Sequence, residues 1–282
     1  MSSSLALLRD ALERLALRTN GSASANPYFI PALWCPPHST NGVVSLTNPA
    51  HFFVDLIDSL LSRHHAHRHT NDDAASPVVY SMLIRHATAF AHDDACWDEV
   101  IHSMFTVDGW RTTGTFVKSI ALLPYIASLG VNTLYVLPVQ QPSSVHRKGS
   151  LGSVFALRNV EKVDESLAET VIDVSPDDQF RAFVEAAHLL GIRVVCEFAL
   201  RTVGRDCEWI EEHPEWFYWM RHEVSLSPEA NCLRPPAFSL KDLDRIARQV
   251  DDKNWKQLPA PSHDYRARFC DTPTEVERLT DG

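Results

Sequence analysis

The sequence predicts an α/β fold with a parallel sheet, preceded by a small helical region. Three observations carry this. Val78–Ile84, Val131–Val139 and the run through Ile192 and Glu197 are short stretches dense in β-branched and aromatic residues, as strands are. Thr115–Gly130 and Ser175–Gly191, which lie between them, carry helix signals and end in glycine. Strands separated by helices imply right-handed crossovers and parallel pairing.

The elements follow in order. Leu5, Leu8, Leu12 and Leu15 fall at helical spacing behind the serines Ser2–Ser4, which can cap a helix. A second helix opens at Asn48-Pro49, with proline in the first turn, and is expected to carry Phe52, Phe53, Leu56, Ile57, Leu60 and Leu61 inward. Asn20–Asn48, between them, is rich in Pro, Ser, Gly and Asn and reads as irregular. His64–Pro77 is polar and reads as a linker, closing a helical N-terminal region over residues 1–77. Pro124 is expected to kink the Thr115–Gly130 helix or divide it in two. Ser175 caps the next helix, with Pro176 at its first position and acids in its first turn. Ser239–Val250 reads as a further helix in a proline-punctuated, charged C-terminal part.

Composition narrows the functional classes. With 282 residues, 45% of them hydrophobic, the chain can build a sizeable core. A net charge of −10 argues against a broad phosphate-backbone surface, so no nucleic-acid partner is expected. No 18-residue apolar run is present and the N-terminus does not resemble a secretory signal, so the expected setting is cytoplasmic, without a membrane partner. The cysteines form no C-x-x-C pair, and Cys196, inside a strand run, reads as a buried thiol. His64, His65, His67 and His69 match no ligand set beyond the i, i+4 pair His65–His69 and have no fixed carboxylate nearby. They read as a solvated helix end, so no metal or cofactor is expected.

The informative stretch runs from Gly191 to Trp219. Ile192, Val194, Val195 and Cys196 suggest a strand covered on both faces. Glu197 and Arg201 follow at its C-terminal end, where barrel enzymes hold substrate-handling groups. After the second strand, Arg147–Asn159 (RKGSLGSVFALRN) has glycines and basic residues that would let a ligand approach the backbone, or are ordinary turn glycines in a surface loop. No phosphate loop or dinucleotide fingerprint is present.

Taken together, TGTFVKSIALLPYIASLGVNTLYVLPV (Thr113–Val139), KGSLGSVFALRNVEKVD (Lys148–Asp164), DQFRAFVEAAHLLGIRVVCEF (Asp178–Phe198) and HPEWFYW (His213–Trp219) resemble the α-amylase family of (β/α)-barrel glycoside hydrolases and transglycosylases. The resemblance implies a partial (β/α)8 TIM barrel, about its first three strands, over residues 78–282. Most members carry Asp-x-x-x-Asn-His at the third strand. Here the positions read Glu197-Phe198-Ala199-Leu200-Arg201-Thr202, a form most similar to the maltosyltransferase-like branch. A guanidinium in place of an amide oxygen removes a hard ligand, so the family's calcium site is not expected.

The resemblance also implies retaining chemistry by a carboxylate nucleophile and a carboxylate acid/base on later strands. None of Arg205-Asp206, Asp244-Arg245 or Asp264-Tyr265-Arg266 ends an apolar strand, and the chain stops at Gly282, too soon to complete a barrel. The expectation is therefore a fragment of an α-glucan-acting transferase or hydrolase with no catalytic carboxylates, inactive alone. Glu197, Arg201, Phe155 and Lys148 would face an α-glucan or maltooligosaccharide, and an exposed barrel edge would favour self-association. The alternative is a non-catalytic carbohydrate-binding or assembly protein with a degenerate partial barrel.

Overall fold

A computed structural model describes residues 3–19, 27–62, 76–93, 104–106, 108–221 and 236–276. The histidines of 64–69, Cys96 and Cys232 lie outside these residues. The chain forms two compact units, Met1–Cys207 and Glu208–Thr280.

The first unit opens with α1 (Ser4–Thr19), which buries Leu5, Leu8, Leu12 and Leu15 as their spacing predicts. The region read as irregular contains an antiparallel hairpin of β1 (Tyr28–Pro31) and β2 (Val43–Leu46), with Tyr28 opposite Leu46. Its strands are four residues long and the first ends in proline, so neither offers a period to read. Helix α2 (Pro49–Leu61) begins where expected, with the Asn48 side chain accepting from the Ala50 amide at 3.0 Å. Phe53, Ile57 and Leu60 are buried, and Phe52 and Leu56 pack at the core margin. Leu61, expected inside, is 41% exposed because it falls in the last turn, beyond the covered stripe.

The alternating part follows with β3 (Val79–Met82), α3 (Phe116–Ser128), β4 (Thr133–Val136), the hairpin β5 (Gln140–Pro142) and β6 (Leu157–Val163), α4 (Pro176–Leu189) and β7 (Arg193–Cys196). Strands β3, β4 and β7 form one sheet in that order, all parallel, with Met82, Val136 and Cys196 in register. The parallel pairing that strand–helix alternation predicts is present. Helix α3 continues through Pro124 without dividing, giving up one amide donor. Thr115 and Ser175 cap α3 and α4, accepting from Lys118 N at 3.3 Å and Asp178 N at 3.1 Å.

One face of this sheet is packed and the other is open. Met82, Leu134, Val136 and Ile192 join the core with α3 and α4. Val79 and Val195 are 53% and 38% exposed, so β7 is not covered on both faces. Cys196, expected to be buried, is half-buried for the same reason, because β7 is an edge strand. The amides of Arg193 and Glu197 donate to Asn132 O and Val136 O, which turns the backbone groups of Val194 and Cys196 outward along the free edge.

A buried polar cluster joins the crossover segments. Lys118 and Glu169 are both fully buried, with Nζ and Oε1 3.7 Å apart. Lys118 Nζ also donates to the Thr113 carbonyl at 2.9 Å and to the Arg111 carbonyl. Glu169 accepts from Arg111 N at 2.9 Å and from Thr115 Oγ1 at 2.9 Å. Gln179 of α4 ties the same loop down, accepting from Glu169 N at 2.9 Å and donating to Glu169 O at 3.0 Å. Burial lowers the Lys118 ammonium to about 8 despite the neighbouring carboxylate. A second tie runs from α4 to α1, where Glu185 accepts from Ser4 N at 3.1 Å, Leu5 N at 2.8 Å and Ser3 Oγ at 2.7 Å. These include otherwise unpaired donors of the α1 first turn.

Lys118→Met leaves Glu169 buried without its cation and is expected to cost about 3–5 kcal/mol. Urea unfolding checks this, and a loss below ~1 kcal/mol would contradict it. A pH effect comes from His92, buried, stacked on Tyr28 at 4.3 Å and donating through Nδ1 to Phe29 O at 2.7 Å. Burial, then the Lys118 charge, pull His92 from 6.5 to about 2. The unfolded chain binds this proton and the folded chain does not. The contribution is therefore full above about pH 6.5 and is lost as pH falls towards 2. His92→Phe should flatten the decline in unfolding midpoint between pH 6.5 and 4, whereas parallel declines in the two proteins would refute the assignment.

Candidate functional site

The C-terminal ends of β3, β4 and β7 place three segments together. Beyond β3 a single helical turn carries Arg85, 8% exposed, whose two terminal nitrogens donate to Leu151 O at 2.8 Å and Gly152 O at 2.7 Å. That fork holds the loop between β5 and β6. Within the loop Gly149 and Gly152 have φ of 70° and 62°, and a Cβ at Gly152 would meet the Arg147 side chain at 3.0 Å. The glycines of this stretch therefore serve a left-handed turn.

The far arm of the hairpin runs along the segment after β7. Thr202 Oγ1 donates to Phe155 O at 3.4 Å, Gly204 N donates to Leu157 O at 2.8 Å, and Leu157 bridges Val203 in parallel sense. Gly204 is needed here because a Cβ would stand 2.5 Å from Ser143 Cβ. Asp206, 2% exposed, closes the junction by accepting from Ser144 N at 2.8 Å and Ser144 Oγ at 3.1 Å. Burial pushes this carboxyl up, but hydrogen bonds from Ser143 and Ser144 outweigh it and hold the group below its ordinary value.

The predicted residues separate within this frame. Glu197 is half-buried directly beyond β7, beside Tyr135 of β4. Partial burial, then the Glu197 charge and its hydrogen bond, push the Tyr135 hydroxyl up. Arg201 is exposed and forms no ion pair with Glu197 among the described residues. Phe155 is 42% exposed and lies against Thr202, in the same neighbourhood as Arg201. Lys148 is exposed at the loop tip, and no hydrogen bond or ion pair among the described residues ties it to the others.

Sequence reasoning missed Tyr135, Arg85 and the Asp206–Ser144 junction. Two of these had a signal. Arg85 follows the β3 run as Arg201 follows β7, and Tyr135 is the residue of β4 that alternates to the open face. Elsewhere, a cavity of about 130 Å³ lined by Leu15, Tyr28, Asn48 and Trp110 shares no residue with the strand ends. Among the described residues no helix is long and apolar enough to cross a membrane.

Chemically, this end of the sheet presents one accessible carboxylate, a phenol, a guanidinium and an exposed aromatic ring. The set suits hydrogen bonding and stacking against a polar, ring-bearing ligand. Asp164, just beyond β6, is occupied as a turn cap accepting from Ser166 N at 2.9 Å.

Arg85→Ala should release the loop. Trypsin should cleave after Arg147 and Lys148 several-fold faster than in the parent, with about 1.5–3 kcal/mol of stability lost from the charge-assisted bonds. Equal cleavage rates would show that the fork does not hold the loop.

No family model matches the chain. Over 145 residues it is 35% identical to an α-1,4-glucan:maltose-1-phosphate maltosyltransferase of Cereibacter sphaeroides, covering 48% of this chain and 23% of that protein. Over 138 residues it is 33% identical to the protein of that name in Mycolicibacterium smegmatis, covering 45% of this chain and 18% of that one. The matched region thus spans less than a quarter of either relative's length. Among solved structures, an α-amylase from Lactobacillus plantarum superposes with a TM-score of 0.38 at 21% identity, covering 64% of this chain and 36% of that one.

Proposed function

We propose that this chain is part of an α-amylase-family glycoside hydrolase or transferase, a reading that its similarity to the maltosyltransferases supports, and that it forms one wall of an α-glucan cleft. In this reading β3, β4 and β7 are the first three strands of a (β/α)8 barrel. Its substrate would meet Glu197, Arg201 and Phe155, with Lys148 reaching in from the loop tip. The observation that carries this is the junction at the strand ends, where the Arg85 fork and the Phe155–Thr202 contact set a glycine-turned loop against the segment after β7.

The family's retaining chemistry requires two carboxylates across the scissile bond. Glu197 is one accessible carboxylate at the strand ends, while Asp164 and Asp206 are engaged within the protein. We infer binding without turnover, since no carboxylate after Arg201 ends an apolar strand in this sequence, with an internal glucan or maltodextrin in the cytoplasm as ligand. The outward backbone groups of Val194 and Cys196 are where further strands or a second copy would add.

Titration of the chain with maltoheptaose tests the reading. Saturable binding without released sugar is expected. Arg201→Ala should weaken it about fivefold while leaving the melting temperature unchanged, since Arg201 is exposed and carries no ion pair with Glu197. A lowered melting temperature with unaltered binding would make Arg201 structural. Turnover abolished by a single Glu→Gln or Asp→Asn change would overturn the non-catalytic assignment.

A further inference from the structure

The cavity over Tyr28 and Trp110 in the first unit has a chemistry of its own. Its volume of about 130 Å³ is close to the roughly 150 Å³ that holds one benzene, so it fits a ligand of about five or six non-hydrogen atoms. Leu15, Tyr28, Ala50 and Trp110 are buried and make its floor, while Thr19, Thr47 and Asp108 are exposed and make its rim. Tyr28 and Trp110 form an aromatic corner, with ring centroids 5.8 Å apart and planes inclined by 58°. Each ring has one face already covered, Tyr28 by His92 at 4.3 Å and Trp110 by Phe53 at 5.5 Å. The opposite faces are the ones left to line the cavity.

Charge and hydrogen-bonding capacity select the ligand. No lysine, arginine or histidine is among the described residues that line the cavity, and Asp108 stands at its rim. Burial first, then the charges of Glu169 and Asp93, push the Tyr28 hydroxyl well above its ordinary value, so the phenol stays neutral in a negative field. Helix α2 starts at the cavity, but its first two residues offer no amide to an anion. Pro49 has no N–H, and Ala50 N already donates to Asn48 Oδ1 at 3.0 Å. An anion is therefore disfavoured. Acceptors nearby are engaged as well. Leu15 O and Ala16 O accept from Thr19 Oγ1 at 3.0 and 3.1 Å, Thr19 Oγ1 accepts from Asn48 Nδ2 at 3.0 Å, and the Tyr28 hydroxyl is closed off from solvent. A primary ammonium seated on this floor would bury N–H donors without partners, whereas a quaternary ammonium has none to satisfy. Its methyl groups suit Leu15 and Ala50, and its charge suits the ring faces and the carboxylate.

We infer that this cavity is a site for a small quaternary ammonium cation, held by the Tyr28–Trp110 corner and the Asp108 carboxylate. Titration of the full chain with tetramethylammonium chloride, with sodium chloride holding the ionic strength constant, tests it. Saturable binding is expected by calorimetry, with nuclear Overhauser contacts between the ligand methyls and the Trp110 indole. Neopentyl alcohol, of similar shape without the charge, should bind about tenfold more weakly, and Asp108→Asn should weaken the cation about threefold. Val171→Phe, which fills the cavity from its lining, should abolish binding. Equal affinity for the alcohol would show that the cavity reads apolar bulk alone and would overturn the inference. Undiminished binding in Asp108→Asn, ligand contacts confined to residues outside the cavity, or absence of saturation would overturn it too. The Overhauser measurement is made on the parent chain, so it decides the matter even where Val171→Phe does not fold. The strand-end reading stands or falls separately, since the cavity shares none of its residues.

Discussion

The buried contact between Lys118 and Glu169 is the constraint on which the first unit depends. Neither charge reaches water, so each must be satisfied by the segments around it: the Arg111 and Thr113 carbonyls on one side, the Arg111 amide and Thr115 hydroxyl on the other. Those partners all belong to the chain entering α3, while Glu169 itself lies on the crossover entering α4. The cluster therefore fixes both crossovers against each other before any apolar side chain is counted. Replacing a cluster of this kind by hydrocarbon can be energetically neutral, whereas removing one member cannot. Its contribution is to select one arrangement of the helices over the sheet.

What was legible in the sequence was local and periodic. The helix starts at Asn48-Pro49, Thr115 and Ser239, the cap at Ser175, the glycine after α3 and the four leucines of α1 could be read because each reports on neighbours within one or two turns. The parallel order β3-β4-β7 followed from alternation alone. The hairpin β1–β2 was not legible, since four-residue strands interrupted by proline carry no usable period. Burial of β7 was misjudged for another reason. An apolar run records what a strand can cover, and Val195 and Cys196 are apolar although the edge leaves them partly open.

The candidate site divides along the same line. Glu197 could be located because it ends an apolar run; alternation puts Tyr135 on the open face, but its place beside Glu197 depends on the pairing of Tyr135 with Val195, which belongs to the sheet. The nearness of Phe155 to Thr202 likewise depends on a hairpin folding back across many residues. Lys148 was chosen for charge and loop position, and charge alone did not bring it to the others. Arg85 shows how a site of this design is kept in shape. A buried guanidinium spent on two backbone carbonyls positions a loop while leaving the exposed residues on it available to ligand.

The carboxylate of Glu185 also sets a schedule. Ser3, whose hydroxyl it receives, stands 182 residues earlier in the chain. At ~5–20 residues per second, a ribosome takes roughly 10–35 s to make the stretch between them. Throughout that interval the opening amides of α1 lack their acceptor and its leucine stripe lacks α4 to cover it. The first turn of α1 is therefore completed only once α4 has been made, although α1 is the first helix to be synthesised.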